Sequence, residues 1–162
     1  MKNKILNYRP VTWFVLANRT ASVIYADKKN KPFYFIERLN NQIGTKMEGD
    51  LVADREGRIA SVSNRTIRHA FEPKESKHEH FAKLFAKRIA EYLDKGHQEK
   101  KYDRLVIVAG PRFLGMLRNE LKPAVRELIQ HEVKHEYLQG SDQQIKKLIL
   151  NAIPMREGHV DL

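Results

Sequence analysis

The fold class is decided by residues 104–121, RLVIVAGPRFLGMLRNEL. Residues 105–109 are apolar at every position, which is typical of a strand covered on both faces. Gly110 and Pro111 then indicate a turn, and Phe113, Leu114 and Leu117 follow at helical spacing. The stretch therefore predicts a central strand that leads through a turn into a helix packed on the sheet.

Two glycines in this stretch are separated by four residues, as in a phosphate-binding loop. Such a loop needs Lys and then Ser or Thr directly after its second glycine, and neither stands there. A proline after the first glycine also removes a backbone N–H that would contact an anion. We therefore interpret the stretch as a structural motif in which the first glycine permits tight backbone geometry and the aromatic residue anchors the helix. Its members are Gly110, Pro111, Phe113 and Gly115.

The segments before this motif predict an antiparallel meander followed by a long helix. Runs rich in β-branched and aromatic residues at 12–17, 21–26 and 33–39 indicate three strands joined by short links. From Ser76 onward, apolar residues recur every three or four positions, and Gly96 is a suitable helix end.

After the motif, the sequence predicts a second helical segment at Pro123 and a strand after Gln130. Ser141 and Gln144 form a capping box that opens a last helix. The order is β-β-β and then α-β-α-β-α, which predicts an α/β fold: a mixed sheet with helices on its faces. We expect one domain over residues 1–162, with a long basic loop at 40–73 and a loose tail at 154–162.

Composition favours an anionic partner and an intracellular setting. The 162 residues carry 30 Lys and Arg against 20 Asp and Glu, a formal charge of +10. The sequence has no cysteine, which excludes disulfides and thiolate chemistry and fits a reducing compartment. No run of 18 apolar residues is present, so we expect no membrane span and a cytoplasmic location. The oligomeric state is left open.

The most cationic irregular stretch lies between the meander and the long helix. A loop of this length in a small domain indicates function, although its composition is also typical of a solvated insertion. We predict that it contacts nucleic-acid phosphates together with the start of the helix. The predicted contact residues are Arg55, Arg58, Arg65, Arg68, Lys74, Lys77 and His78.

The sequence also contains one literal metalloprotease motif, His131-Glu132-Val133-Lys134-His135. Two zinc-binding histidines at this spacing must share one face of a helix. Here polar and apolar residues alternate, which indicates a strand that would hold the two imidazoles about 13 Å apart. Nor does a pair of carboxylates end adjacent core strands, since the first strand runs into Asn18. We therefore predict no metal, no cofactor and no catalytic residue.

Four segments resemble the bacterial host attachment protein family, described as required for attachment to host cells. They are TWFVLANRTASVIY (12–25), LVADREGR (51–58), EPKESKHEHFAKLFAKRIAEYL (72–93) and DRLVIVAGPRFLGMLRNELKP (103–123). The resemblance covers about residues 11–150, and its most specific part is the strand with GPRFLG.

That family is similar in arrangement to the middle domain of archaeal and eukaryotic peptide-chain release factors and of Pelota-like ribosome-rescue proteins. The resemblance implies a ribonuclease-H-like α/β scaffold. Release factors carry a Gly-Gly-Gln loop before the long helix, whereas residues 68–77 here contain neither Gly-Gly nor Gln. The resemblance therefore implies the scaffold of the release factors without their hydrolytic glutamine.

Three hypotheses follow from the sequence and the resemblance. The first is a non-catalytic basic module that binds RNA, tRNA or the ribosome. The second is an attachment factor that acts on a host surface or a protein partner. The third is an enzyme, either a peptidyl-tRNA hydrolase with altered chemistry or a metal-dependent hydrolase that uses His131 and His135.

Overall fold

A computed structural model describes residues 10–28, 31–43, 46, 76–136 and 140–152. Its strands form one mixed sheet in the order β3-β2-β1-β4-β5. β1 pairs antiparallel with β2 and parallel with β4, while β3 is antiparallel to β2 and β5 is parallel to β4. The predicted meander and mixed sheet are confirmed. The strands are β1 (Thr12–Ala17), β2 (Ala21–Lys28), β3 (Lys31–Asn40), β4 (Arg104–Ala109) and β5 (Ile129–Lys134).

The described helices are α1 (Lys77–Gln98), α2 (Pro111–Glu120), α3 (Pro123–Arg126) and α4 (Asp142–Ala152). Prolines open α2 and α3, where a missing N–H costs no hydrogen bond. The predicted capping box is confirmed, because the Ser141 N–H donates to Gln144 Oε1 at 2.9 Å and the Gln144 N–H donates to Ser141 Oγ at 3.3 Å.

Two apolar cores cover the two faces of the sheet. On the first face, α1, α2 and α3 pack on Trp13, Val15 and Ile107. On the second face, α4 packs on Phe14 and Val106 through its buried apolar residues. Residues 105–109 are at most 2 % exposed, so the predicted central strand is covered on both faces.

One predicted boundary is wrong. Gly96 does not end the long helix, which continues to Gln98. A Cβ at Gly96 would lie 2.9 Å from two ring atoms of Trp13 and 3.2 Å from the Tyr102 ring. The glycine is therefore placed inside the helix by close packing against an aromatic pair, whose rings stack with centroids 4.7 Å apart.

The topology gathers several chain segments at one edge of the sheet. Because β1, β4 and β5 are parallel, their carboxyl ends meet at the same edge, which we call the carboxyl edge. The amino end of α1 lies there too, since Glu79 in its first turn accepts a hydrogen bond at 3.0 Å from Arg112 at the start of α2. The end of β3 reaches the same edge, where the Asn41 N–H donates to the Thr20 carbonyl at 2.8 Å.

Candidate functional site

A cleft of about 330 Å³ lies at the carboxyl edge. Open α/β sheets commonly bind ligands outside the carboxyl ends of their strands, where the chain leaves neighbouring strands in different directions. Here β1 turns back into β2, whereas β4 runs on into α2. The cleft is lined by Asn18, Arg19, Thr20, Arg112, Phe113, Met116 and Glu136.

Asn18 shapes the first wall of the cleft. Its Oδ1 accepts three hydrogen bonds, from the Thr20 N–H at 2.8 Å, the Thr20 hydroxyl at 2.9 Å and the Ala21 N–H at 2.8 Å. Asparagine favours such turns because its side chain replaces a backbone acceptor. The amide thereby fixes the turn that carries Arg19 into the cleft.

The start of α2 forms the opposite wall. Gly110 precedes the helix with φ −59° and ψ 149°, which any residue can adopt. The prediction that Gly110 permits a tight backbone geometry is therefore wrong. The carboxylate of Glu136, at the end of a flexible and exposed side chain, lies where a Cβ would stand, with its Cδ 2.7 Å from that position, so a larger residue at Gly110 would displace it. A carboxylate at this place also complements the positive end of the α2 dipole.

The other members of the predicted motif have simple structural roles. Pro111 is the first residue of α2. Phe113 is buried and packs on the first core, as predicted. Nothing lies within 4 Å of the position that a Cβ would take at Gly115, so that glycine is not required by packing.

Arg112 links the cleft to α1. Its guanidinium contacts Glu79 at 3.0 Å, yet its side chain is 74 % exposed. A surface pair of this kind is weak and exchanges readily with solvent or with another anion. Arg112 can therefore exchange its contact with Glu79 for a contact with another anion.

Of the predicted phosphate contacts, Lys77 and His78 lie in the described residues. Both are in the first turn of α1 at the carboxyl edge, with Lys77 exposed and His78 half-buried. The other predicted contacts, Arg55, Arg58, Arg65, Arg68 and Lys74, lie outside the described residues, as do most of the predicted loop at 40–73 and the whole predicted tail at 154–162. Within 40–73, Asn40 ends β3 and residues 42 and 43 are helical.

The metalloprotease motif lies in a strand, as predicted. His131 is in β5, and His135 follows its end with its N–H bonded to the Ala109 carbonyl at 3.1 Å. Within the described residues, no group of three or more His, Cys, Asp and Glu side chains is placed to hold a metal ion. The helical geometry that zinc requires is not formed by these two histidines.

A second cleft, of about 540 Å³, lies beside β5. It is lined by Arg118, Arg126 and His131 among others. The cleft at the carboxyl edge is the better candidate site because it lies where the chain leaves the neighbouring strands β1 and β4 in different directions.

The candidate site combines cationic and neutral hydrogen-bonding groups. Two guanidinium groups, one hydroxyl and one amide line it, beside the single carboxylate of Glu136 among the described lining residues. Guanidinium groups suit phosphate and carboxylate oxygens because their N–H donors match two oxygens at once. The arrangement is suited to recognising an anion.

Sequence reasoning missed most of this site. Asn18 stands where a catalytic carboxylate would end the first strand, and its role in the turn was not predicted. Arg19, Thr20 and Glu136 carried no signal, because they reach the cleft through contacts that depend on the strand order. The signal that could have been used is the position of polar residues directly after parallel strands.

Comparisons with known proteins identify a family and a distant structural likeness. A profile of the family described as "Protein required for attachment to host cells" matches residues 13–149. No curated protein matches the sequence at a significant level. Among solved structures, an archaeal protein and an archaeal translation termination factor each align with a TM-score of 0.42 and 11 % identity.

Each of these alignments covers 88 % of this chain and 38 % of the solved chain, so the protein spans well under half the length of either structure. A likeness at this level identifies neither an activity nor a partner. Among the described residues, no helix combines the length and apolar character of a transmembrane span. The family match covers most of the sequence, and the chain therefore belongs to the host attachment family, described as proteins required for attachment to host cells.

Proposed function

We propose that the protein is a binding module for RNA, with tRNA and ribosomal RNA as the natural candidates, and that the carboxyl edge is its contact surface. The observation that supports this most directly is that Arg19 and Arg112 line one cleft, while Lys77 begins the helix whose Glu79 contacts Arg112. Cations grouped in this way give affinity for a phosphate backbone without reading its sequence.

The chain path adds to this proposal. The described residues before the arginine-rich stretch, 40–43, lie at the carboxyl edge through the contacts of Asn41 with Thr20 and with the Arg19 carbonyl at 2.8 Å. The described residue after it, Ser76, caps α1 at the same edge. Described residues on both sides of the arginine-rich stretch thus lie at the carboxyl edge.

Exposed cations on α1 extend the surface. Lys83 and Lys87 are one turn apart and face solvent, and the guanidinium of Arg88 donates to the Asn40 carbonyl at 3.1 Å. A charged helix face is often only a solvated surface. Here Arg88 contacts the end of β3, which reaches the carboxyl edge, and the overall charge of +10 favours long-range attraction of a polyanion.

The test is an RNA-binding isotherm measured at several salt concentrations. We compare Arg19→Gln/Arg112→Gln with Lys95→Gln/Lys100→Gln, which removes the same charge near the carboxyl end of α1. Loss of two phosphate contacts lowers the slope of log affinity against log salt by about 1.4 for single-stranded RNA. The first variant should show this loss and the second should not. Equal binding by both variants, or negligible binding by the wild type at low salt, contradicts the proposal.

A second candidate, direct attachment to a host surface, is favoured by the family description. It requires the protein to be present outside the cell. Cell fractionation combined with protease treatment of intact cells distinguishes the two functions. Protein that is confined to the cytosol can influence attachment only indirectly, whereas surface-exposed protein supports the direct role.

A further inference from the structure

The second face of the sheet carries an aromatic row on β2 and β3. Tyr25 and Phe33 stack with centroids 4.7 Å apart and an interplanar angle of 8°. Phe35 meets Tyr25 nearly perpendicularly, at 6.0 Å and 78°. Tyr25 is 3 % exposed, whereas Phe35 is 54 % exposed, so the outer member of the row presents much of its ring to solvent.

A cation lies on the same face, farther along β3. Phe35 pairs with Tyr25 and Arg38 pairs with Val23, and both partners belong to the second core. Arg38 is exposed, and its Nε donates to Asn40 Oδ1 at 3.2 Å. Phe35 and Arg38 are therefore about 7 to 10 Å apart along the strand.

This row leads to the candidate site. β3 is the edge strand of the sheet and ends at the carboxyl edge, where Asn41 contacts Thr20. A ligand lying along β3 on the second face would pass from the ring of Phe35 to Arg38 and then round the end of the sheet to the turn that carries Arg19, because the α2 wall of the cleft packs on the first face.

We propose that Phe35 stacks on a base of single-stranded RNA whose phosphates contact Arg38 and the carboxyl-edge cleft. Aromatic rings beside basic residues bind single strands in this way, because every base offers a flat face and every nucleotide a negative charge. The inference rests on the proposed function and adds a preference for unpaired RNA.

Two observations favour RNA over a second copy of the chain on this surface. The surface carries Arg38 on a protein of charge +10, so another copy brings like charge. The β2 and β3 pairing also shifts register between Ile24 and Tyr25 and again between Ala26 and Lys28. Irregularities of this kind disfavour edge-to-edge pairing of strands.

The test measures fluorescence anisotropy of a labelled single-stranded RNA 12-mer and of a duplex of the same length. Phe35→Ala should weaken single-strand binding about tenfold without changing its salt slope, because stacking releases no counterions. Phe35→Tyr should remain within twofold of wild type. Arg38→Gln should instead lower the slope by about 0.7. Duplex affinity should be the same for wild type and Phe35→Ala, and circular dichroism confirms that each variant is folded.

The outcomes separate this inference from the proposed function. Single-strand binding that depends on Arg19 and Arg112 but is unchanged in Phe35→Ala overturns the stacking site alone. The absence of any RNA binding by the wild type overturns both. A wild-type dimer that becomes a monomer on Phe35→Ala, seen by sedimentation, assigns the surface to self-association and also overturns the inference.

Discussion

Replacing Asn18 by alanine should loosen the wall of the candidate site at a measurable cost in stability. The substitution removes the acceptor of three hydrogen bonds, made by the Thr20 N–H, the Thr20 hydroxyl and the Ala21 N–H. Each such bond contributes about 1 kcal/mol, and water can replace part of the loss because the turn is only partly buried. We expect the free energy of unfolding to fall by about 2 kcal/mol.

The assay is urea unfolding followed by the fluorescence of Trp13, which is the single tryptophan and is buried in the first core. In thermal unfolding the same loss corresponds to a decrease in Tm of about 4 to 8 °C for a chain of this size. RNA affinity should fall as well, because Arg19 is no longer held at the cleft.

Two variants serve as controls. Asn18→Asp retains an acceptor oxygen, and its charge strengthens hydrogen bonds from N–H donors, so its stability should stay within about 0.5 kcal/mol of wild type. Thr20→Val removes one of the three bonds and should lose about 1 kcal/mol. If Asn18→Ala and Asn18→Asp lose equal stability, the acceptor does not hold the turn and the reasoning is refuted.

Three further predictions concern packing, pH and charge. Gly96→Ala should lose about 1 kcal/mol in urea unfolding because its Cβ meets the Trp13 ring, whereas Gly115→Ala, with open space around it, should gain about 1 kcal/mol; a gain in both would contradict the packing argument. Burial raises the pKa of Tyr102 above its ordinary value of 10.0, so the contribution of this hydroxyl to the free energy of unfolding is complete below pH 10. Above pH 10 that contribution is lost with a limiting slope of about 1.4 kcal/mol per pH unit. Alkaline unfolding of Tyr102→Phe should lack this slope, and a profile unchanged from wild type would refute the reasoning. Glu136→Gln should lower stability by about 0.3 to 1 kcal/mol yet tighten RNA binding at low salt, since it removes a negative charge from the α2 terminus and the cleft; weaker RNA binding would show that the carboxylate helps the ligand.

The sheet could be predicted because its signals are local. β1 begins and ends at the predicted residues, and the alternation around His131 correctly indicated a strand where a motif search indicates a zinc helix. The capping box at Ser141 was also visible, since its two partners are three residues apart. Patterns of this kind depend on neighbours in sequence, so tertiary contacts do not alter the structure that they predict.

The errors arise where tertiary contacts override a local preference. Gly96 is of the residue type that commonly ends a helix, but Trp13 packs against it and the helix continues. Gly110 is of the residue type that permits a tight turn, but its backbone dihedral angles are ordinary and the Glu136 carboxylate occupies the space beside it. In both cases the decisive neighbour is distant in sequence, and its position follows from the strand order.

The same distinction explains why the fold is easier to infer than the ligand. The walls of the cleft come from the turn between β1 and β2, the start of α2, and Glu136 after the end of β5. Apart from Phe113, which packs in the first core, and Asn18, which holds the turn, these side chains can be exchanged at small cost in stability. Proteins that share this sheet can therefore differ at the carboxyl edge, and a distant likeness of scaffold says little about the partner. The identity of the ligand must therefore be sought by exchanging the proposed contact residues Arg19, Arg112, Phe35 and Arg38, which should change binding while both apolar cores are kept.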